Sequence, residues 1–309
     1  MTKRAFSTSL RAATLAAVFA FSVLPLQAEE LTITHAQGET KVAANPQSVL
    51  VFDYAALDTL DALGIKVTGV PGSNLPPFLS QYQSDDYLKI GSLFEPDYEA
   101  VAAANADLAI VAGRSSSAYE QLSAILPTVD LSNGWDDFTG AVKTNSKIMG
   151  EIFGKQAEID TMIADFDNSV ADFKAEAPKL GTALVVLTNG GKVTAYGPGS
   201  RFGLVFDTLG LAPAVADVEA ATHGEAISFE FILEANPDWL IVIDRDAATG
   251  TASGAAEQVL DNELIHQTKA WQNKQIVYVD PVRWYIVNGG LRNMHIMVDE
   301  LKSAMLPSQ

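Results

Sequence analysis

One stretch of this chain is written twice. Residues 99–114 read EAVAAANADLAIVAGR and residues 230–245 read EFILEANPDWLIVIDR. Laid side by side without a gap, they share Glu99/Glu230, Ala104/Ala235, Asn105/Asn236, Asp107/Asp238, Ile110/Ile241, Val111/Val242 and Arg114/Arg245. Each copy starts on an acid, passes a helical turn and an Asn-x-Asp break, enters a short apolar strand and ends on an arginine. A repeated helix–strand unit calls for two similar lobes. In open α/β sheets, ligands lie beyond the carboxyl ends of the strands. Arg114 and Arg245 are therefore expected to face one ligand between the lobes. Glu99 and Glu230 are expected on outer surfaces.

The N-terminus sets the compartment. Lys3, Arg4 and Arg11 precede the apolar run 15–24, and Leu26-Gln27-Ala28 offers small residues for cleavage before Glu29. This is the pattern of a secretory signal peptide over residues 1–28, its apolar run too short to span a bilayer. The sequence holds no cysteine. A disulfide framework and a lipid-modified cysteine at the cleavage site are both ruled out. A soluble product of a bacterial periplasm is expected, not a lipoprotein.

Charge narrows the partners. Removing Lys3, Arg4 and Arg11 leaves 17 basic against 38 acidic residues, a net of −21. Such a surface repels nucleic acid and anionic membranes. Five arginines remain: Arg114, Arg201, Arg245, Arg283 and Arg292. Three of them follow strand-like runs or sit in Gly-rich loops. A single arginine there reads as an ordinary solvated residue; the duplicated pair reads as a local anion site.

Alternation of strands and helices organises the chain. Runs 48–52, 66–70, 107–111 and 128–131 have strand character, and 55–63 is helical up to Gly64, a good C-cap. This pattern predicts a mostly parallel sheet. Residues 138–153 are helical. Residues 155–177 place Ile159, Ile163, Phe166, Val170 and Phe173 three and four apart. That is one apolar stripe on a helix of roughly 34 Å, stopped by Pro178. Its mid-chain position predicts a bridge between an N-terminal lobe over 29–154 and a C-terminal lobe over 178–309. The second lobe repeats the pattern at 183–187, 206–209, 239–243 and 276–279. Phe206-Asp207-Thr208-Leu209 echoes Leu57-Asp58-Thr59-Leu60.

Catalytic signatures are missing. There is no Walker sequence, no G-x-S-x-G elbow and no His-Glu-x-x-His. The four histidines (His35, His223, His266, His295) lack metal-type spacing. No catalytic residue is expected, and no intrinsic cofactor. The Gly-rich piece 196–203 could cradle an anion or simply turn; its Arg201 joins Arg114 and Arg245 as a third anion contact. His223 lies in a polar loop, and Tyr285 follows a strand in Asp280-Pro281-Val282-Arg283-Trp284-Tyr285. Alone, the one reads as solvated and the other as packing. Together their imidazole and phenolate suit ferric iron. Trp284 reads equally as core packing or as a ring stacked on a ligand.

These features resemble the periplasmic binding proteins of iron-siderophore and cobalamin ABC importers. The second half carries the most specific likeness, in Thr222-His223-Gly224, residues 227–234, Asn236-Pro237-Asp238, Leu260-Asp261-Asn262 and Asp280-Pro281 with Trp284-Tyr285. These resemble the branch that binds ferric catecholates, enterobactin-derived and petrobactin-like. The resemblance implies an α/β fold of two Rossmann-like lobes joined by one long bridging α-helix, with the ligand cleft between them. It implies that Arg114, Arg201 and Arg245 face the anionic iron complex. The rings of Trp284 and Tyr285 could also stack on an aromatic ligand. It implies that His223 and Tyr285 bind iron when the siderophore is tetradentate. It implies that Glu99 and Glu230 dock on an inner-membrane ABC permease. Some members carry a lysine three residues after the first arginine; Ser117 stands here, with one positive charge fewer. The expected protein is a monomer that carries a ferric siderophore and performs no catalysis. Haem, cobalamin or a hydroxamate siderophore is the alternative cargo, and a periplasmic α/β hydrolase the alternative of another class.

Overall fold

The computed structural model describes residue 2 and residues 29–218, 223–252 and 254–306. The export signal expected over 1–28 lies outside these apart from Thr2, and Thr222 lies outside them too. The described chain opens with an antiparallel hairpin, β1 (Glu30–His35) and β2 (Gly38–Ala43). A first sheet follows: β3 (Val49–Val51), β4 (Gly69–Val70), β5 (Leu88–Lys89), β6 (Leu108–Val111) and β7 (Thr128–Asp130). Its order is β5-β4-β3-β6-β7, and every pairing is parallel. Helices α1 (Tyr54–Ala62), α2 (Tyr98–Ala104) and α3 (Tyr119–Ser123) alternate with these strands, and α4 (Phe138–Ile152) and α5 (Gln156–Glu176) follow. Strands β3, β6 and β7 are buried throughout, as strands covered on both faces must be.

The second sheet contains β8 (Thr182–Asn189), β9 (Lys192–Tyr196), β10 (Ala212–Pro213), β11 (Glu225–Ile227), β12 (Trp239–Asp244) and β13 (Ile276–Tyr278). Helix α6 (Phe229–Ala235) precedes β12, and the short helices α7 (Arg245–Ala248), α8 (Ala255–Leu260), α9 (Glu263–His266) and α10 (Lys269–Gln272) fill the path to β13. This sheet is mixed. Strands β8, β12 and β13 run parallel, but β9 pairs antiparallel with both β8 and β11. The turn at Asn189-Gly190-Gly191 makes this possible, since both glycines take positive φ. Residues 206–208 fall in a wide helical turn over Leu204–Thr208 that Leu209 caps, as the echo Leu57–Leu60 falls in α1.

The duplicated sequence is a duplicated structure. Glu99 and Glu230 are exposed in the first turns of α2 and α6, where a negative charge complements the helix dipole. Asn105 and Asn236 end those helices in the left-handed conformation at φ 46° and 42°. Asp107 Oδ2 then accepts hydrogen bonds from the backbone N–H groups of Gln47 and Ser48 at the start of β3. Asp238 Oδ2 accepts the same kind of bond from Thr182 at the start of β8. Each aspartate thus ties its own strand, β6 or β12, to its parallel neighbour. Arg114 and Arg245 emerge just past the strand ends.

Helix α5 buries Phe166 and Phe173 in a cluster with Val142 of α4 and Met294, Met297, Val298 and Leu301 of the last helix, α11 (Leu291–Met305). That last helix crosses back to the first sheet's side. Arg292 donates two hydrogen bonds to Asp58 Oδ1 on α1 (2.9 and 2.7 Å) and one to Asp61 Oδ2 (2.8 Å). Gly290 permits the approach: at φ +72° its position for a Cβ lies 2.6 Å from the Ala55 carbonyl oxygen. No helix among the described residues is long and apolar enough to cross a membrane.

Candidate functional site: an arginine-lined cavity at the strand ends

A cavity of about 460 Å³ lies beyond the carboxyl ends of the first sheet. Asp53 stands after β3, Gly113 and Arg114 after β6, and Ser132, Asn133 and Trp135 after β7. Phe94 enters from the turn after β5, and Arg201, His223 and Tyr285 come from the second sheet's side. The volume lies in the range of small-molecule sites, which are concave and set a few polar groups among apolar walls.

Tyr285 organises this cavity. It lies in a wide helical turn over Val282–Val287, and the last carbonyls of a helix have no partner within it. Arginines satisfy them. Arg114 donates from Nη1 to the Ile286 carbonyl and from Nη2 to the Tyr285 carbonyl, both at 2.8 Å. Arg201 donates from Nη2 to the Tyr285 carbonyl at 2.5 Å. Arg245 donates from Nε to the Tyr285 hydroxyl at 2.8 Å and from Nη1 to Asn189 Oδ1 at 2.9 Å. The three guanidinium carbons lie 5.8, 4.5 and 5.5 Å from the Tyr285 ring centroid.

Burial alone would push the Tyr285 phenol up. The Arg245 hydrogen bond and the charges of Arg245, Arg201 and Arg114 outweigh it and hold the phenol below its usual value. Arg201 is held below its own usual value, first by burial and then by the charge of Arg114. Its Nε is buried without a hydrogen-bond partner. Among the described residues, Arg283 and Arg292 form ion pairs with acids, and Arg114, Arg201 and Arg245 form none. Positive charge therefore gathers around Tyr285 at one side of the cavity, whose lining also includes Asp53, the acid that Arg114 faces.

The structure brings together four residues expected at the ligand: Arg114, Arg201, His223 and Tyr285 all line the cavity. Arg245 does not line it and reaches it through the Tyr285 hydroxyl. Trp284 is a correction. It is 0 % exposed within the core cluster under α11, and its Nε1 donates to Glu300 Oε2 at 2.8 Å. A ligand cannot reach it; adjacent residues in the wide turn point opposite ways, so Tyr285 faces the cavity while Trp284 fills the core. Glu99 and Glu230 stay outside the cavity.

Sequence reasoning missed Phe94, Asn133, Trp135 and Asn145. Trp135 and Asn133 follow a strand end as Arg114 does, and that placement was the available signal. Asn145 donates to the Leu131 carbonyl at 2.7 Å and to Asn133 Oδ1 at 2.6 Å, which fixes the loop that carries them.

The periplasmic binding protein model matches residues 49–282, and the chain belongs to that family. Petrobactin-binding protein YclQ of Bacillus subtilis is 40 % identical, with 90 % of this chain and 89 % of that one covered. Ferric-anguibactin-binding protein FatB of Vibrio anguillarum is 34 % identical, with 88 % and 86 % covered. The crystal structure of the periplasmic catecholate-siderophore binding protein VctP of Vibrio cholerae superposes with a TM-score of 0.84 at 32 % identity, covering 89 % of this chain and 100 % of that one. The family's proteins are substrate-binding proteins.

Proposed function

We propose that this protein captures a ferric siderophore of the catecholate type in the periplasm and hands it to an inner-membrane ABC permease, without catalysis. One observation carries the reading. Arg114, Arg201 and Arg245 converge on Tyr285 and, among the described residues, form no ion pair, in a chain that carries a net −18. A ferric catecholate complex is an anion rich in oxygen acceptors. Guanidinium groups match it with permanent charge and several fixed donors. A cleft with low-dielectric walls focuses that charge despite the acidic surface. The ligands named for YclQ, FatB and VctP support the same class.

His223 and Tyr285 fill the places that a tetradentate siderophore leaves open on the iron. The iron is cargo rather than a resident cofactor. Residues 29–154 and 178–309 act as the two lobes and 155–177 as their bridge. Glu99 and Glu230, one per lobe, dock on the permease. Export uses the cleavable signal over 1–28, and the protein works as a monomer.

Titration of intrinsic tryptophan fluorescence with ferric catecholates, a ferric hydroxamate and haem tests the reading. Tight binding of the ferric catecholates is the expected result. Binding of haem with no response to any ferric chelate would overturn it. Arg114→Ala and Arg201→Ala should each weaken ferric-catecholate binding by about 1.5–3 kcal/mol, the range for hydrogen bonds to charged groups. Arg245→Ala should cost less, since Arg245 stands behind Tyr285.

A further inference from the structure

Phe94 is the most exposed of the large apolar side chains among the described residues, at 59 %, and it lines the cavity. It is also mounted rigidly. Ser92 N–H donates to the Glu95 carbonyl at 2.9 Å, and the Ser92 hydroxyl accepts from the N–H groups of Phe94 (3.2 Å) and Glu95 (3.0 Å). Gly91 and Pro96 pair across the base of the turn, and Asp97 N–H donates to the Ile90 carbonyl at 2.9 Å. Gly91 takes φ +106°, and a Cβ there would sit 2.3 Å from the Glu95 carbonyl oxygen, so the turn is closed too tightly for any other residue. Among the described residues, neither another ring nor a cationic group is in aromatic contact with Phe94. A phenyl ring on a closed turn and more than half exposed loses much of the favourable burial that a ring of this size normally gains.

The sheet places it. Phe94 follows β5 and Trp135 follows β7, and these strands are opposite edges of the five-stranded sheet. Four strand spacings separate those edges by about 19 Å. Phe94 and Trp135 thus join the cavity lining from the two edge strands, while Asp53 and Arg114 join it from the strands between them.

We propose that Phe94 is a specificity-determining residue of the ligand cavity: a fixed phenyl platform that covers an aromatic ring of the bound chelator and so selects aryl over alkyl siderophores. This rests on the ferric-siderophore reading above. Charge attracts any anionic iron complex to the arginines; the exposed ring adds a contact that only an aryl ligand completes with stacking geometry. Because the side chain is exposed and the turn is held by Ser92 and Gly91, removing the ring leaves the fold intact.

The test is titration of wild type, Phe94→Ala and Phe94→Leu with a ferric catecholate and with a ferric hydroxamate, each variant first checked for an unchanged melting temperature. For Phe94→Ala, catecholate affinity should fall about tenfold, in line with aromatic pairing plus lost apolar contact. Phe94→Leu should fall between it and wild type, and hydroxamate affinity should be the same in all three proteins. Equal losses for both chelates would overturn the selectivity role. Unchanged affinity for both, with transport by the permease reduced, would overturn it and move Phe94 to the docking face. A wild type that binds neither chelate would instead refute the siderophore reading itself, a result separate from either of these.

Discussion

Tyr285 sits among three guanidinium groups, and its phenol should lose its proton more readily than a free tyrosine. The cause sets the direction of the test. Arg245→Ala removes the hydrogen bond and the nearest charge, leaving burial to dominate, so the Tyr285 titration should move up. Ultraviolet difference titration, with Tyr285→Phe as the blank, measures it; a titration that stays put in Arg245→Ala would show that the arginine does not tune the phenol. The same proton bears on the proposed contact with iron. On the proposed reading, a phenol held below its usual value binds ferric iron with a smaller deprotonation cost. Tyr285→Phe and His223→Ala should cost much affinity for a bis-catecholate complex, which leaves two places open on the iron. They should cost little for a tris-catecholate, which fills all of them. Tyr285→Phe keeps the ring, so the charge-transfer band of the bis-catecholate complex separates coordination from stacking. Identical spectra in wild type and both variants would remove the two residues from the iron.

At the scale of elements, the contact between α1 and α11 carries a buried charge. Asp58 is 0 % exposed, and burial pushes its carboxyl up despite the Arg292 hydrogen bonds and charge that pull it back. A carboxyl raised in the folded state binds its proton more tightly there than in the unfolded chain. Its contribution to stability is therefore complete below the unfolded value and declines as pH rises through the folded one. Arg292→Met leaves Asp58 buried without its partner. It should cost about 3–5 kcal/mol at neutral pH, the cost of breaking a buried pair, read from urea unfolding. The loss should shrink as pH falls and Asp58 becomes neutral. Asp58→Asn combined with Arg292→Met should recover much of it, because no buried charge is then left alone. A pH-independent loss would place the cost in packing instead. Helix α5 presents the opposite case: its stripe of Phe166 and Phe173 is apolar, and its burial needs no partner charge.

For the whole molecule, the two copies of the helix–strand unit place Glu99 and Glu230 on exposed first turns, outside the cavity that holds Arg114. Acids in such positions register a partner more than they stabilise a fold. Glu99→Ala and Glu230→Ala should leave siderophore affinity unchanged and lower uptake through the reconstituted permease. A marked fall in affinity in either variant would place that glutamate in the ligand path. The attraction of the cavity arginines for an anionic ligand is screened by salt, so ligand affinity should weaken as salt rises.

Although the bonds of Asp107 and Asp238 to neighbouring strands became visible only in the fold, the repeat was legible because most of its residues act locally: Asn105 and Asn236 cap helices, and Ile110, Val111, Ile241 and Val242 are strand core. Short-range backbone chemistry of this kind is written in the order of residues. The same holds for the apolar stripe of α5 and for arginines placed just after strands. Contacts made across the chain were not legible. Trp284 and Tyr285 are neighbours in sequence, and only the wide turn over Val282–Val287 sends one into the core and the other to the arginines. The antiparallel course of β9 and the return of α11 to α1 depend on what the rest of the chain leaves to be covered. Phe94 and Trp135 meet one cavity because β5 and β7 end as opposite edges of one sheet. Sequence spacing fixes which way a side chain leaves its own strand or helix; which surface it then meets is fixed by the order in which strands pair, and that order is set by burial summed over the whole fold.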